Sequence, residues 1–210
     1  MSSTIFSIDP GNTLSAYVIL RRQDRQLLAF GKIPNQELRE LVNSRHRGGY
    51  LHDYCIEYPF PRGQMASWQL IDTVAGIGRI EQMLDDHHLP PPTRVDRLDV
   101  KYHLCQSSTA KDSNIRQALI DLYGGEEIAL AKPKCPACKG RGATGLGKKR
   151  GPCSTCNGTG QIPAGPLFGV SADAWSALAI AITFLEDGHL RRQKDKENQE
   201  AKTKINIEKP

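Results

Sequence analysis

The stretch Val170–Thr183, VSADAWSALAIAIT, decides what kind of fold this chain can form. From Ala172 onward it is apolar on nearly every side, which is typical of a helix buried between other layers of structure. Its first turn nevertheless carries a carboxylate, Asp173. An Asp at a helix start can satisfy free backbone N–H groups and complement the helix dipole. Alternatively, Asp173 belongs to a functional site, and the rest of the chain bears on that choice.

The composition indicates one domain of ordinary size with a small appendage. The chain has 210 residues, of which 39% are hydrophobic and only 6% aromatic, so part of it is not expected to pack into the main core. Its formal net charge is +5, with a pI near 8.9. A positive excess of this size permits nucleic-acid binding without establishing it.

The sequence shows no signal peptide, because Met1 leads directly into a strand-like segment without a basic region or a cleavage site. The longest apolar run, 177–185, is far shorter than the ~20 residues that a membrane span needs. We therefore expect a cytoplasmic protein that contacts no membrane. Thiols stay reduced in that compartment, so the six cysteines do not indicate a disulfide framework.

The order of predicted elements favours an α/β fold, with a mixed five-stranded sheet flanked by helices. Alternating apolar residues predict strands over 4–9, 14–20, 26–32, 52–58 and 95–104. Helical spacing predicts helices over 35–47, 66–86, 113–123 and 172–186.

The composition divides the chain into four parts. Residues 1–131 form the first part of the core, and 132–165, rich in Gly, Cys and Lys, form a small insertion. Residues 166–187 return to the core with its final helix. The tail, 188–210, is highly charged without periodicity, which predicts disorder.

Two copies of the pattern CxxCxGxG lie in the insertion. Cys135 and Cys138 form the first pair, and Cys153 and Cys156 form the second. Two such pairs predict one structural Zn²⁺ held by four thiolates. A redox dithiol or a disulfide is the alternative, which the duplication with matching glycines disfavours. The remaining Cys55 and Cys105 are interpreted as small buried hydrophobic residues.

The insertion resembles the zinc-binding region of DnaJ-type co-chaperones, whose modules contact polypeptides, so a protein partner for this segment or for the tail is one interpretation. It also contains no acidic residue, and its basic residues favour a clamp on DNA phosphates. In the third interpretation these side chains only solubilise the module and offset the charge of the thiolates. The basic residues are Lys132, Lys134, Lys139, Arg141, Lys148, Lys149 and Arg150.

Two further acids stand at the ends of predicted strands. Asp9 precedes a Pro-Gly turn, where turn chemistry alone would explain it, and Glu57 ends the fourth strand, where a solvent-facing position would explain it. If strands one and four are neighbours, both carboxylates reach one edge of the sheet, and a helix across the sheet could add Asp173. Three such acids repel one another unless cations lie between them. Two Mg²⁺ ions, or Mn²⁺, would meet that need and could cleave a phosphodiester.

Four segments together resemble the RuvC family of Holliday-junction resolvases, which has a ribonuclease H-like fold. They are IFSIDPG, CIEYPFPRGQ, VKYHLC with TAKDSNIRQAL, and SADAWSALAIAIT, and they span residue 4 to about 186 around the insertion. The resemblance implies a bacterial or bacteriophage setting and a Mg²⁺-dependent homodimer that cuts four-way or branched DNA. It also implies that Asp9, Glu57 and Asp173 are three of the family's four metal-binding acids. The fourth position holds Ser176, which cannot supply charge.

The same motifs suggest residues that contact DNA. Phe60 lies where relatives place an aromatic wedge for the junction centre, with core packing as its alternative. Lys101 and Lys111 match catalytic lysines that contact phosphate or neutralise charge, with solvated surface as the alternative. Arg62 and Arg116 are assigned to DNA binding.

Two other functions stay open beside the resolvase. One is a catalytically silent protein that binds branched DNA, with Ser176 marking the lost activity. The other is a zinc-dependent protein-interaction module on a degenerate nuclease core. For a dimer, the helix over 66–86 is the expected interface, where an exposed Trp68 or Met65 would fit.

Overall fold

The structure is a computed structural model that describes residues 4–48, 52–60, 67–144, 151–156, 158–162 and 164–187. The chain divides into two units, one of residues up to 118 and from 170 onward, the other of residues 119–169. The predicted tail, 188–210, lies outside the described residues. None of the helices in the described ranges is both long enough and apolar enough to cross a bilayer.

The first unit is built on a mixed five-stranded sheet, as the sequence predicted. The strand order is β3-β2-β1-β4-β5, in which β1 pairs antiparallel with β2 and parallel with β4. Strands β2 and β3 pair antiparallel, and β4 and β5 pair parallel. The strands are β1 (Thr4–Asp9), β2 (Leu14–Arg21), β3 (Leu27–Pro34), β4 (His52–Glu57) and β5 (Thr93–Val95).

Helices cover both faces of this sheet. On one face Phe6 and Ile8 of β1 pack with apolar residues of the first two helices, among them Leu38 and Ile77. On the other face Ser7 donates a hydrogen bond to a backbone carbonyl of the final helix. The helices are α1 (Asn35–Arg47), α2 (Trp68–Asp86), α3 (Arg97–Cys105), α4 (Asp112–Leu122), α5 (Glu126–Ala129) and α6 (Ala174–Leu185).

The final helix, α6, is buried along most of its length, as its composition predicted. Its residues from Ala177 to Ile182 are all fully buried. Ser7 Oγ donates to the carbonyl of Ala177 at 2.7 Å, which fixes the helix on β1. A helix that is apolar all round must be enclosed by other elements. The position of α6 against β1 therefore determines where Asp173, at the start of the helix, lies.

The prediction of a strand over 95–104 is wrong. Strand β5 ends at Val95 and helix α3 begins at Arg97. Asp96 lies at the helix N-cap, where its side chain accepts a hydrogen bond from the Leu98 N–H. This cap favours a helix over the extended backbone that the Val and Tyr residues suggested. The other predicted elements of the first unit are confirmed, with their ends shifted by up to two residues.

The second unit is small and contains the helix α5 and the cysteine segment. The segment includes one short antiparallel pair, β6 (Ala143–Thr144) with β7 (Gly151–Pro152). Its buried centre is formed by the four cysteines, with Ile162 packed against them. Within the cysteine segment, thiols therefore occupy the place of an aliphatic core.

Candidate active site and cysteine cluster

Asp9 and Glu57 end the two parallel strands at the middle of the sheet. Ile8 of β1 pairs with Ile56 of β4, so the next residue of each strand, Asp9 and Glu57, reaches the same edge. The adjacency that the sequence analysis required is thus confirmed. Burial and the charge of Glu57 raise the pKa of Asp9 from 3.8 to about 7. Burial also raises the pKa of Glu57, so both acids resist ionisation without a cation.

Asp173 stands beside Asp9 at the start of α6. Its charge adds to the rise in the pKa of Asp9, and both residues line a cleft of about 180 Å³ with Lys32 and the turn 10–14. The hydroxyl of Ser176, one turn further along, hydrogen-bonds to the Asp9 carboxylate. The residue in place of a fourth acid therefore contacts the first acid directly.

The expectation that the Asp173 side chain caps its helix is wrong. Asp173 occupies the N-cap position, but its side chain accepts no capping hydrogen bond. The carboxylate instead forms an ion pair with Lys32 of β3. Since the acid is not used by its own helix, the alternative interpretation as a site residue gains support.

Two cations that the sequence analysis did not select lie against the acids. Lys32 pairs with Asp173, and Arg97 lies with Nη1 3.4 Å from Glu57 Oε2 and Nη2 2.5 Å from Asp112 Oδ1. Arg97 was missed because its segment was assigned to a strand. Lys32 was missed because only the strand order brings β3 to this edge.

The predicted basic residues of the core lie on or beside α3 and α4. Lys101 is on α3, one turn after Arg97, and Lys111 is an exposed residue directly before α4. The Lys111 N–H donates a hydrogen bond to Asn114 Oδ1 at 2.9 Å, which stabilises the first turn of α4. Arg116 places its guanidinium 4.9 Å from the ring centre of Trp175.

Phe60 is 42% exposed and contacts Tyr58 edge-to-face, with ring centres 5.3 Å apart. Core packing, the alternative for Phe60, is therefore wrong. In the cysteine segment Lys139 and Arg141 are exposed. Four other predicted DNA contacts, Arg62, Lys148, Lys149 and Arg150, and the dimer candidate Met65 lie outside the described residues.

The three acids offer oxygen ligands only, the donor set that Mg²⁺ takes in proteins. Their ligand atoms are more widely spaced than those of the cysteines. The ligand atoms of the four cysteines all lie within 4.8 Å of one another. Within the described ranges, no other group of three or more His, Cys, Asp or Glu residues is as compact. The chemistry of the carboxylates therefore fits a divalent metal, whereas their side chains are paired with Lys32 and Arg97 instead.

The four cysteines form a buried cluster that could hold one zinc ion. The Sγ atoms of Cys135 and Cys153 are 3.8 Å apart, and those of Cys138 and Cys156 are 3.7 Å apart. A tetrahedron with Zn–S bonds of about 2.3 Å has edges of about 3.8 Å. The Gly160 N–H donates to Cys156 Sγ at 3.2 Å, so backbone dipoles also favour thiolates.

The backbone favours ionisation of one thiol of the cluster, Cys153. Although burial opposes it, hydrogen bonds from the backbone N–H groups of Cys156 and Thr155 lower the pKa of Cys153 to about 7. At Cys135 the backbone N–H of Cys138 acts in the same direction, but burial and hydrogen bonds to neighbouring thiols outweigh it and raise the pKa of Cys135 to about 11. Gly142 has a φ of +72°, and a Cβ there would lie 2.3 Å from the Gly158 carbonyl oxygen. The glycines after each cysteine pair are therefore needed for the two loops to approach each other.

The fold is similar to that of RuvC from Thermus thermophilus. The TM-score is 0.52 at 13% sequence identity, over 90% of this chain and 96% of that chain. T. thermophilus RuvC in complex with a Holliday junction substrate gives 0.51 at 13% identity, over 86% and 92%. No protein-family model and no curated protein sequence matches this chain. The chain thus has the RuvC-type, ribonuclease H-like α/β fold, as the sequence resemblance implied.

In the absence of divalent metal, ionisation of Asp9 is expected to lower the stability of the folded protein as the pH rises. Its pKa is about 7 in the folded chain against an ordinary 3.8, so between these values the folded chain binds more protons and stability falls with rising pH. Asp9→Asn should remove this dependence. The variant should exceed the wild type by a few kcal/mol at most near pH 8, at about 1.4 kcal/mol per pKa unit. The gain in stability should vanish at about pH 4.

Urea unfolding across this pH range, with zinc retained and no other divalent metal, measures the difference. Asp53→Asn is the matched control, because Asp53 lies on the neighbouring strand β4, near the end of the sheet opposite to the acids. A gain from Asp9→Asn that stays constant over the whole pH range would contradict the assignment of a buried, charge-repelled Asp9.

Removing one ligand from the cysteine cluster should release the metal and unfold the segment. We expect one zinc ion per wild-type chain and none in Cys138→Ser, because a structural site of this type supplies much of the folding free energy of its segment. Elemental analysis gives the zinc content, and amide NMR spectra should lose dispersion for 132–165 and keep it for the sheet.

Cys105→Ser is the control for this experiment. Cys105 is a half-buried free thiol outside the cluster, so this variant should keep its zinc. Full zinc occupancy in Cys138→Ser would rule out the four-thiolate site.

Proposed function

We propose that this protein is a metal-dependent, structure-selective endonuclease that resolves Holliday junctions or related branched DNA. The observation that carries the proposal is the meeting of Asp9, Glu57 and Asp173 at one sheet edge. It is supported by the fold, since a structure of similar fold is T. thermophilus RuvC in complex with a Holliday junction substrate.

The three carboxylates would hold the metal, and Ser176 would orient one of them. When bound, a pair of Mg²⁺ ions, or Mn²⁺ in their place, activates water and stabilises the leaving 3′-oxygen of a phosphodiester. Asp9 must be ionised to bind metal, and the Ser176 hydroxyl favours that form because its hydrogen bond lowers the pKa of Asp9. Ser176 thus contributes orientation where relatives of the proposed family contribute charge.

Exposed basic and aromatic side chains would contact the DNA. Lys101 lies on α3, Lys111 directly before α4 and Arg116 on α4. Arg97 of α3 links Glu57 to Asp112 at the start of α4. Phe60 is exposed three residues after Glu57 and suits stacking in an unpaired junction centre. In the cysteine segment Lys139 and Arg141 would contact phosphates.

A dimer would bring two such sites to one junction. Along the outer face of α2, Trp68 is 82% exposed and Ile71 45% exposed, and Ala75 and Gly78 continue the same face. A self-complementary apolar stripe of this kind suits a two-fold interface. Two sites related by a two-fold axis would cut strands of equal polarity at symmetric positions.

A catalytically silent protein that binds branched DNA is the second candidate. It is favoured by the pairing of Asp173 with Lys32 and of Glu57 with Arg97. These cations neutralise part of the charge that two divalent ions require, and Ser176 adds none.

A cleavage assay on a synthetic four-way junction separates the two candidates. Each strand is labelled in turn, and zinc-loaded protein is added with or without Mg²⁺. We expect paired, symmetric nicks that require Mg²⁺. Asp9→Asn should reduce the cleavage rate by at least about 10³-fold, because it removes a metal ligand, and should leave junction binding intact.

Asp53→Asn is again the control and should cut like the wild type, because Asp53 pairs with Arg22 at the other end of the sheet. Tight junction binding without nicks in either Mg²⁺ or Mn²⁺ would reject the endonuclease in favour of the silent DNA-binding protein.

The exposed indole of Trp68 is expected to stabilise the dimer. Trp68→Glu places a charge on the outer face of α2 and should weaken dimerisation by at least about tenfold, as expected for an aromatic anchor of an interface. Sedimentation equilibrium measures the dissociation constant. Tyr102→Glu, at an exposed aromatic of α3, is the control, and equal effects of both variants would exclude α2 as the interface.

A further inference from the structure

One cation lies in the same cross-strand row as the acids of the candidate site. Asp9 pairs with Ala16 of β2, and Ala16 pairs with Lys32 of β3. Residues paired across a sheet project to the same face, so Lys32 and Asp9 lie on the face covered by α6. The residue between them is Ala16, a buried alanine that adds no charge to this row.

Lys32 and Asp173 line a cleft together with the turn after β1. Their ion pair spans the side of this cleft of about 180 Å³, which also includes Asp9 and residues 10–14. Since one water takes about 30 Å³ of liquid volume, the cleft is large enough for a phosphodiester group.

The ion pair itself contributes little to folding. The side chains of Lys32 and Asp173 are 43% and 46% exposed, and exposed pairs typically contribute between about 0 and 1 kcal/mol. A lysine at this place is therefore poorly explained by stability. Its flexible stem and compact charge let it change partner without moving β3.

We propose that Lys32 is a phosphate-binding residue of the nuclease site, which exchanges its ion pair with Asp173 for a phosphate oxygen of the DNA when the carboxylates hold metal. The inference rests on the proposed function for the identity of the ligand. It adds a cation on the Asp173 side of the acids, whereas Lys111 and Arg97 lie on the Glu57 side.

Lys32→Gln separates this role from a structural one because two measurements should move in opposite directions. Without DNA, Mn²⁺ should bind the variant several-fold more tightly in calorimetry, since the cation that competes for Asp173 is gone. With Mg²⁺, cleavage of the four-way junction should fall by about 10²-fold, the usual loss for one donor to a developing charge.

A third measurement does not depend on cleavage. Junction affinity is measured in Ca²⁺ over a range of salt concentrations, and its logarithmic salt slope should fall by about one for Lys32→Gln, as for one lost phosphate contact. Lys32→Arg should keep the wild-type slope. Arg22→Gln is the matched control, because it removes an ion pair of similar exposure at the far end of the sheet, and should change none of the three values.

Weaker Mn²⁺ binding by Lys32→Gln would overturn the proposal, because Lys32 would then only hold Asp173 in place. An unchanged salt slope would overturn it as well. If the wild type cuts no junction but the Mn²⁺ affinity and the salt slope still respond as expected, the phosphate contact is supported and the endonuclease alone is rejected.

Discussion

The parallel pairing of β1 with β4 places two carboxylates side by side at a half-buried sheet edge, and the surrounding structure compensates their charge. Asp9 follows Ile8 and Glu57 follows Ile56, so the strand register fixes how far apart the backbones of the two acids lie. Burial raises the pKa of both acids, and the charge of Glu57 adds to the rise at Asp9. Arg97 opposes the rise at both acids, and the Ser176 hydroxyl also opposes it at Asp9. The site is consequently a set of acids that needs positive charge to ionise fully, which is the electrostatic condition for binding a divalent cation.

The cysteine segment is held together by a different kind of buried centre. Its buried centre consists of four thiols with one aliphatic side chain, Ile162, packed against them. The glycines that follow each pair adopt left-handed backbone, and a side chain at Gly142 or Gly160 would collide with the opposite loop. A zinc ion held by the four thiolates would contribute directly to the stability of this segment. Arg141 belongs to the same loop, because its Nε donates a hydrogen bond to the Cys138 carbonyl.

Sequence patterns predicted the sheet, the buried α6 and the three acids because each depends on local periodicity or on a motif. The strand assigned to 95–104 was wrong, since a single capping contact of Asp96 outweighs the β-preference of its neighbours. Lys32 and Arg97 could not be selected from the sequence, because their positions depend on the strand order and on the helix α3. The capping interpretation of Asp173 was also wrong, because a tertiary ion pair with Lys32 replaced the local hydrogen bond.

Asp9, Glu57 and Asp173 are expected to form one divalent-metal site. Crystals of the zinc-loaded protein grown with Mn²⁺, with diffraction data collected at the manganese absorption edge, would show it directly. We expect anomalous density between these three carboxylates, separate from the signal at the four cysteines. Manganese bound only elsewhere, with Lys32 and Arg97 still paired to Asp173 and Glu57, would contradict it.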